Sequence, residues 1–253
     1  MTRTTRQLSW CASALVFAVA AATPALAQSP SRARVEISAN AGVQTGASTF
    51  GATHTRPSNG GETETIDVDH RVKAAPAFSV GAAVRLVPRF WAGVQYAMSE
   101  AKPGATLTAS IPHPILFEAP RTVEGSLSDV THSEQNVHVA LMYQLPVRVV
   151  DVKVMGGPTF FKLKQAFVSG LVINETYPFD TATFASATMK QVTERAVGFN
   201  AGADFSHPLS PTVGIGALIR YSRADVQFDD ADVGRQTAKA GGFEAMGGVR
   251  VRF

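Results

Sequence analysis

The feature that most constrains this chain is an alternation of apolar with polar or small side chains, repeated in eight separate segments. Successive side chains of a strand point to opposite faces, so a period of two describes a strand with two unlike faces. At the C-terminus Phe243, Ala245, Gly247, Val249, Val251 and Phe253 form one stripe, and Glu244, Met246, Gly248, Arg250 and Arg252 form the other. The same pattern occupies 213–222, 197–205, 150–160, 136–145, 90–99, 78–86 and 35–44. Each segment has the length of a tilted strand that crosses a bilayer, about 9–11 residues. An even number of such strands puts both chain ends on one side.

Two architectures share this alternation. A soluble lipocalin-like barrel turns its apolar face inward. A transmembrane barrel turns it toward lipid and fills its interior with polar groups. Three features favour the second. The polar stripe is rich in Gly, Ser, Asn and Gln, which suit a narrow interior. Aromatic residues gather near segment ends: Phe90, Trp91, Phe205 and Phe253 at one level, and Phe78, Tyr96, Phe160, Tyr221 and Phe243 at the other. These read as two interfacial girdles. Finally, connections alternate between short (87–89, 146–149, 206–210) and long (45–76, 100–134, 163–194, 223–239), as in outer-membrane barrels. The expected fold is all-β: an eight-stranded antiparallel up-and-down transmembrane β-barrel. In hydrocarbon every backbone N–H and C=O needs a partner, so the first strand must close on the last.

Residues 1–27 read as a secretory signal peptide. Arg3 and Arg6 precede an apolar core at 10–22, and Ala25 and Ala27 set a cleavage site before Gln28. Residues 28–253 are then the barrel with four long extracellular loops. Beyond position 27 no apolar run reaches 18 residues, which excludes a bundle of membrane helices. Without Arg3 and Arg6 the remaining 21 basic and 20 acidic residues carry a net +1, too little for a nucleic-acid binder. The single cysteine, Cys11, lies in the signal, so the mature chain has neither disulfide nor thiolate.

The terminal Gly247-Gly248-Val249-Arg250-Val251-Arg252-Phe253, the stretch Gly156-Gly157-Pro158-Thr159-Phe160-Phe161 and the cleavable signal carry a family resemblance. The chain resembles small outer-membrane β-barrel proteins, the OmpA-type transmembrane barrel and the OmpX-like eight-stranded group, over residues 34–253. The resemblance implies location in the cell outer membrane of a Gram-negative cell. It implies contact with outer-membrane lipid and lipopolysaccharide. It also implies an assembly signal, Phe253 with Val251 and Val249, read by the barrel assembly machinery. The periplasmic domain that follows OmpA-type barrels is not expected, and the protein is expected to be a monomer.

With this phase the lumen receives Glu36, Arg85, His138, Asp151, Lys153, Asp204, Arg220, Glu244 and Arg250, with Arg252 beside them. Acids and bases there nearly balance. Two readings remain open: a plugging network of ion pairs, or a selective pore. Thr131-His132-Ser133-Glu134 holds a His, a Ser and a Glu, but neighbours in an extended segment face apart, so no catalytic set is expected. His54, His70, His113 and His207 are scattered and read as solvated loop residues; no metal site and no cofactor are expected. The segment 45–64 reads as a mobile polar loop. The apolar stretches 111–117 and 167–178 read as strand extensions above the membrane or as contact surfaces. The expected role is structural or surface-interacting. The alternative is porin-like transport of a small or apolar solute. Signal removal is checked by N-terminal sequencing of the protein from the envelope; Gln28 is the expected first residue.

Overall fold

Period-two alternation produces strands along nearly all of the chain. The computed structural model describes residues 33–46, 49–57, 61–71, 74–128, 130–147, 150–230 and 234–253. The signal segment, with Ala25 and Ala27, lies outside the described residues. Twelve strands follow in order: β1 (Val35–Gly46), β2 (Thr49–Pro57), β3 (Thr63–Arg71), β4 (Ala74–Val87), β5 (Phe90–Ala101), β6 (Ala105–Ile111), β7 (Arg121–Leu127), β8 (His132–Gln144), β9 (Asp151–Glu175), β10 (Ala182–Pro208), β11 (Val213–Asp230) and β12 (Gly234–Arg252). Eight of them close a barrel in the order β1-β12-β11-β10-β9-β8-β5-β4, and β2-β3-β6-β7 form a separate sheet. All pairings in both sheets are antiparallel.

The ring is sealed where the two ends of the chain meet. β1 pairs with β12 from Glu36↔Arg252 to Gly46↔Gly242. On its other side β1 pairs with β4 from Val35↔Val84 to Thr45↔Ala74. The Phe253 N–H donates to the Val35 carbonyl at 2.9 Å, so pairing runs to the last residue. Backbones approach closely along this seam. A Cβ built on Gly248 would lie 1.9 Å from the Ala39 carbonyl oxygen. Only glycine fits there.

The phase of all eight barrel strands is apolar outward. Ile37, Phe78, Val80, Val94, Val139, Leu141, Phe160, Phe199, Ile215, Ile219 and Val249 all lie exposed on the outer wall. Their sequence neighbours Glu36, Ser79, His138, Thr159, Asn200, Arg220 and Arg250 are buried inside. This inverts the distribution of a water-soluble barrel.

The long connections depart from the expectation of irregular loops. Described parts of the segment expected to be a mobile loop at 45–64 form β2 and the start of β3. The second long connection contributes β6 and β7, and the other two lengthen the β9–β10 and β11–β12 hairpins. The physical reason is an ordinary sandwich pattern. Ile66 and Val68 of β3, Ala105, Leu107, Ala109 and Ile111 of β6, and Val123 of β7 alternate with polar residues and turn their apolar face inward. They pack against Ala166, Val168, Leu171 and Ile173 of β9 and Phe184 and Ala187 of β10. Of the two apolar stretches, 167–178 is partly a strand extension, since β9 runs to Glu175. The stretch 111–117 is not; β6 stops at Ile111 and a turn follows.

Polarity therefore reverses along single continuous strands. On β9 Phe160 faces out, while Phe161 and Leu163 face in and are buried. On β11 Ile219 and Tyr221 face out, and from Ala224 onward the buried apolar positions are Ala224, Val226 and Phe228. Phe161, Leu163, Phe167, Val192, Ala224, Val226, Phe228, Ala238 and Ala240 form one apolar core toward the long-connection end. Phe167 and Phe228 meet edge-on with centroids 5.0 Å apart. The reversal marks the upper rim of the apolar belt. Replacing Gly248 by valine forces Cβ into the Ala39 carbonyl and opens the seam. The expected result is loss of the compact, heat-modifiable band in detergent gels, while an exposed change such as Thr108→Ser leaves the band intact.

Candidate functional site

Eight strands leave an interior just wide enough for side chains. The polar stripe fills it in three tiers. At the short-turn end Glu36 accepts from the Lys153 ammonium at 2.6 Å and from Arg252 Nε at 2.9 Å. Arg252 also reaches Asp151 Oδ2 at 2.8 Å and donates to Ser206 Oγ at 2.6 Å. Trp91 closes this end. Its ring lies 4.5 Å from Lys153 Nζ and 5.8 Å from Arg85 Cζ, and its indole N–H donates to Gln144. Expected at a lipid interface, Trp91 is instead 4 % exposed inside the barrel. The reason is alternation itself: Phe90 beside it faces outward, so Trp91 cannot.

In the middle tier Arg250 grips Asp204 through two nitrogens and donates a third hydrogen bond to Asn40 Oδ1. Asn40 donates to Ser79 Oγ at 3.0 Å, and Gln95 donates to the same oxygen at 2.8 Å. In the upper tier Arg220 donates to Glu244 Oε2 through Nε and Nη2 and to Gln95 Oε1 through Nη1. His138 shares a 2.8 Å hydrogen bond with Thr159, which also accepts from Asn200. Arg220, Arg250 and Glu244 are at most 1 % exposed. The structure thus places Glu36, His138, Lys153, Asp204, Arg220, Glu244 and Arg250 deep in the interior, and Arg85 and Asp151, half-buried, at its short-turn mouth.

One lumenal acid falls outside the residues that the sequence assigns to the lumen. Glu134 stands in what reads as a loop, yet β8 begins at His132 and turns Glu134 inward. It accepts from Gln44 Nε2 at 2.8 Å and from the Gly241 N–H at 3.2 Å. Gly241 has φ +89°, and a Cβ there would lie 2.2 Å from the Ser222 carbonyl oxygen, so glycine is required for this contact. His132 sits between Gln165 Oε1 at 2.6 Å and Glu134 Oε1 at 3.1 Å, both inside. Ser133, next in sequence, lies on the other face of β8 and is only half-buried. The signal for Glu134 was present: His132, Glu134 and Asn136 continue the inward phase of His138.

The outermost part of the second sheet carries a different site. A cavity of about 460 Å³ lies beneath the 111–117 turn, lined among others by Glu64, Ile111, Pro114, Leu116, Leu171 and Ile173. Arg121 ties the surrounding segments together. It pairs with Glu175 at 2.7 Å and donates to the Phe179 and Pro112 carbonyls. His113 is buried rather than solvated; its Nδ1 accepts from the Ile115 and Leu116 N–H groups and shapes the turn. His54 is also buried, and burial pulls its imidazole below the ordinary histidine range. His207 is exposed. Phe117 (74 %) and Tyr177 (78 %) stand exposed at this tip.

Removing one member of a buried pair leaves the other charged and unsolvated, at a cost of about 3–5 kcal/mol. Arg220→Ala, which strands Glu244, is expected to destabilise the barrel by this amount in urea unfolding in detergent. Arg220→Met with Glu244→Leu is expected to cost less than either single change. A single mutant that unfolds at the wild-type urea concentration refutes the network.

The chain matches no protein-family model and no curated protein. It is similar to solved structures of small outer-membrane barrel proteins. Neisserial surface protein A is 13 % identical at a TM-score of 0.42, covering 87 % of this chain and 97 % of that one. The attachment invasion locus protein Ail of Yersinia pestis is 13 % identical at 0.39, covering 87 % and 99 %. The outer membrane protein AlkL, determined in lipid bilayers, is 15 % identical at 0.37, covering 91 % and 95 %.

Proposed function

We propose that this chain is an integral outer-membrane β-barrel protein with a structural and surface-interacting role, a plugged barrel that carries a folded β-cap. One observation carries this reading: the ring is apolar on its outer wall and ion-paired within. Such a wall is stable against acyl chains and unfavourable against water. The regular short turns lie at one end, and the long connections build the cap at the other. The cap end then faces outward from the cell and the chain termini face the periplasm.

The lumen argues against porin-like transport. Between Glu36, Gly81, Gln95, Lys153, Asp204 and Leu218 the free space is about 30 Å³. That is room for a few waters at most. The buried apolar cluster of Phe161, Leu163, Phe167 and Phe228 narrows the interior further toward the cap. Closure supports the monomer reading, since the sealed ring itself offers no edge to another chain. Phe253, Val251 and Val249 lie on the outer side of β12, where assembly machinery meets a terminal strand. His132 is engaged inside with Ser133 facing away, so the reading is non-enzymatic, and lipopolysaccharide is its lipid partner.

Two measurements test this. Ile215→Arg puts a charge on the half-exposed outer wall. In a bilayer this is expected to cost about 2–4 kcal/mol; a cost under ~0.5 kcal/mol, as on a water-facing surface, overturns the membrane reading. In planar bilayers the purified protein is expected to be silent, and discrete openings establish transport instead.

A further inference from the structure

Just above the apolar belt the outer wall changes from greasy to cationic. On β9 Phe160 faces outward, followed on the same face by exposed Lys162 and Lys164. On β10 Val197 faces outward opposite Phe160, followed by exposed Arg195. The register places Lys162 directly opposite Arg195, and Lys164 one outward position further along. Like charges directly opposite on one face of a sheet repel. Among the described residues none of these three cations forms an ion pair. Glu194 sits on the inward face, opposite Leu163. Glu100, outward on β5, lies beyond β8 at the level of Ser133 and does not neutralise the cluster. Within the β9–β10 ladder the fold thus holds three cations together with no anion between them; Asp225, exposed on the neighbouring β11, stands opposite Lys239.

Their height is specific. Lys162 and Lys164 lie two and four residues past Phe160; at ~3.3 Å per residue and a tilt of ~40° they stand ~5 and ~10 Å above it. With Phe160 and Tyr221 at the belt rim, this is the level of lipid headgroups on the cap side. We infer that Lys162, Lys164 and Arg195 form a binding site for the phosphate of an anionic lipid headgroup in the outer leaflet. Arg195 presents a planar fork that suits two phosphate oxygens, and the lysines add point charges beside it. Phe160, Val197 and Phe199 lie directly below, against the acyl chains of the same lipid. A bound anion removes the residual like-charge repulsion.

This inference rests on the outer-membrane reading, and the experiment separates the two. The full-length mature protein is placed in phosphatidylcholine nanodiscs with trace fluorescent, bis-phosphorylated lipid A, and retention of the probe is measured. The triple variant Lys162→Gln, Lys164→Gln, Arg195→Gln is compared with wild type. Each cation near a headgroup contributes roughly fivefold in affinity, so the triple variant is expected to lose on the order of 100-fold. Heat-modifiable migration is expected to be unchanged, because all three side chains are exposed. The charge-preserving Lys162→Arg, Arg195→Lys variant is expected to keep most of the retention, and raised salt to weaken it. Wild-type retention by the triple variant overturns the site. So does equal retention of dephosphorylated lipid A, which leaves only acyl contacts. Equally tight competition by free inorganic phosphate reassigns the site to a soluble anion and overturns the lipid. A protein that fails to enter nanodiscs at all sinks the outer-membrane reading itself, a result distinct from the other three.

Discussion

Everything in this molecule depends on pairing every main-chain N–H and C=O of a wall that has lipid on one side. Side chains cannot perform that task around a whole ring; only neighbouring strands can. Closure of β1 on both β12 and β4 satisfies it, and it demands the close approach at Gly248. Once the ring is closed, alternation leaves no choice. Each strand gives one stripe to the outside and one to the inside, and the interior stripe must be small or charge-balanced.

The interior solves that problem by joining distant walls as well as neighbouring strands, such as Arg220 with Glu244. Glu36 on β1 meets Lys153 on β9. Arg250 on β12 links Asp204 on β10 to Asn40 on β1. Arg220 on β11 reaches Gln95 on β5. Buried ion pairs of this kind contribute little net stability compared with an apolar filling. Their geometry does reject alternatives. A slip of one residue in any barrel strand turns its charges toward lipid and its valines toward the lumen. The network therefore specifies register more than it adds free energy. Above it the solution changes: from Phe161 upward an apolar cluster packs inside the ring, and Glu134, His132 and Gln165 at the same level hydrogen-bond one another beside it.

The barrel was legible because one physical rule, alternation, repeats over eight segments, with a few inward apolar residues such as Leu218 and Met246 that leave the phase unchanged. Inward placement of Glu36, Lys153, Asp204, Arg220, Glu244 and Arg250 follows from parity alone. What was not legible has two causes. Connection length masked structure: Ile66-Asp67-Val68 and Ala105–Ile111 alternate as cleanly as any barrel strand, but their apolar side faces inward and their segments are short. The partners of Arg121 and Glu134 lie far along the chain, 54 residues away at Glu175 and 107 at Gly241. Local pattern carries no trace of such pairings. Trp91 shows the limit of composition arguments: its type suits an interface, and its parity put it inside.

Arg121 has a further consequence. By holding Pro112, Glu175 and Phe179 at once, it welds the ends of two hairpins into a single face. That face is assembled from stretches more than fifty residues apart. An antibody raised against that face would therefore bind a conformational epitope, and peptides copied from either hairpin alone would be poor immunogens for it. Sequence drift in one hairpin would alter how the other is displayed, so the two would be expected to change together as variants arise.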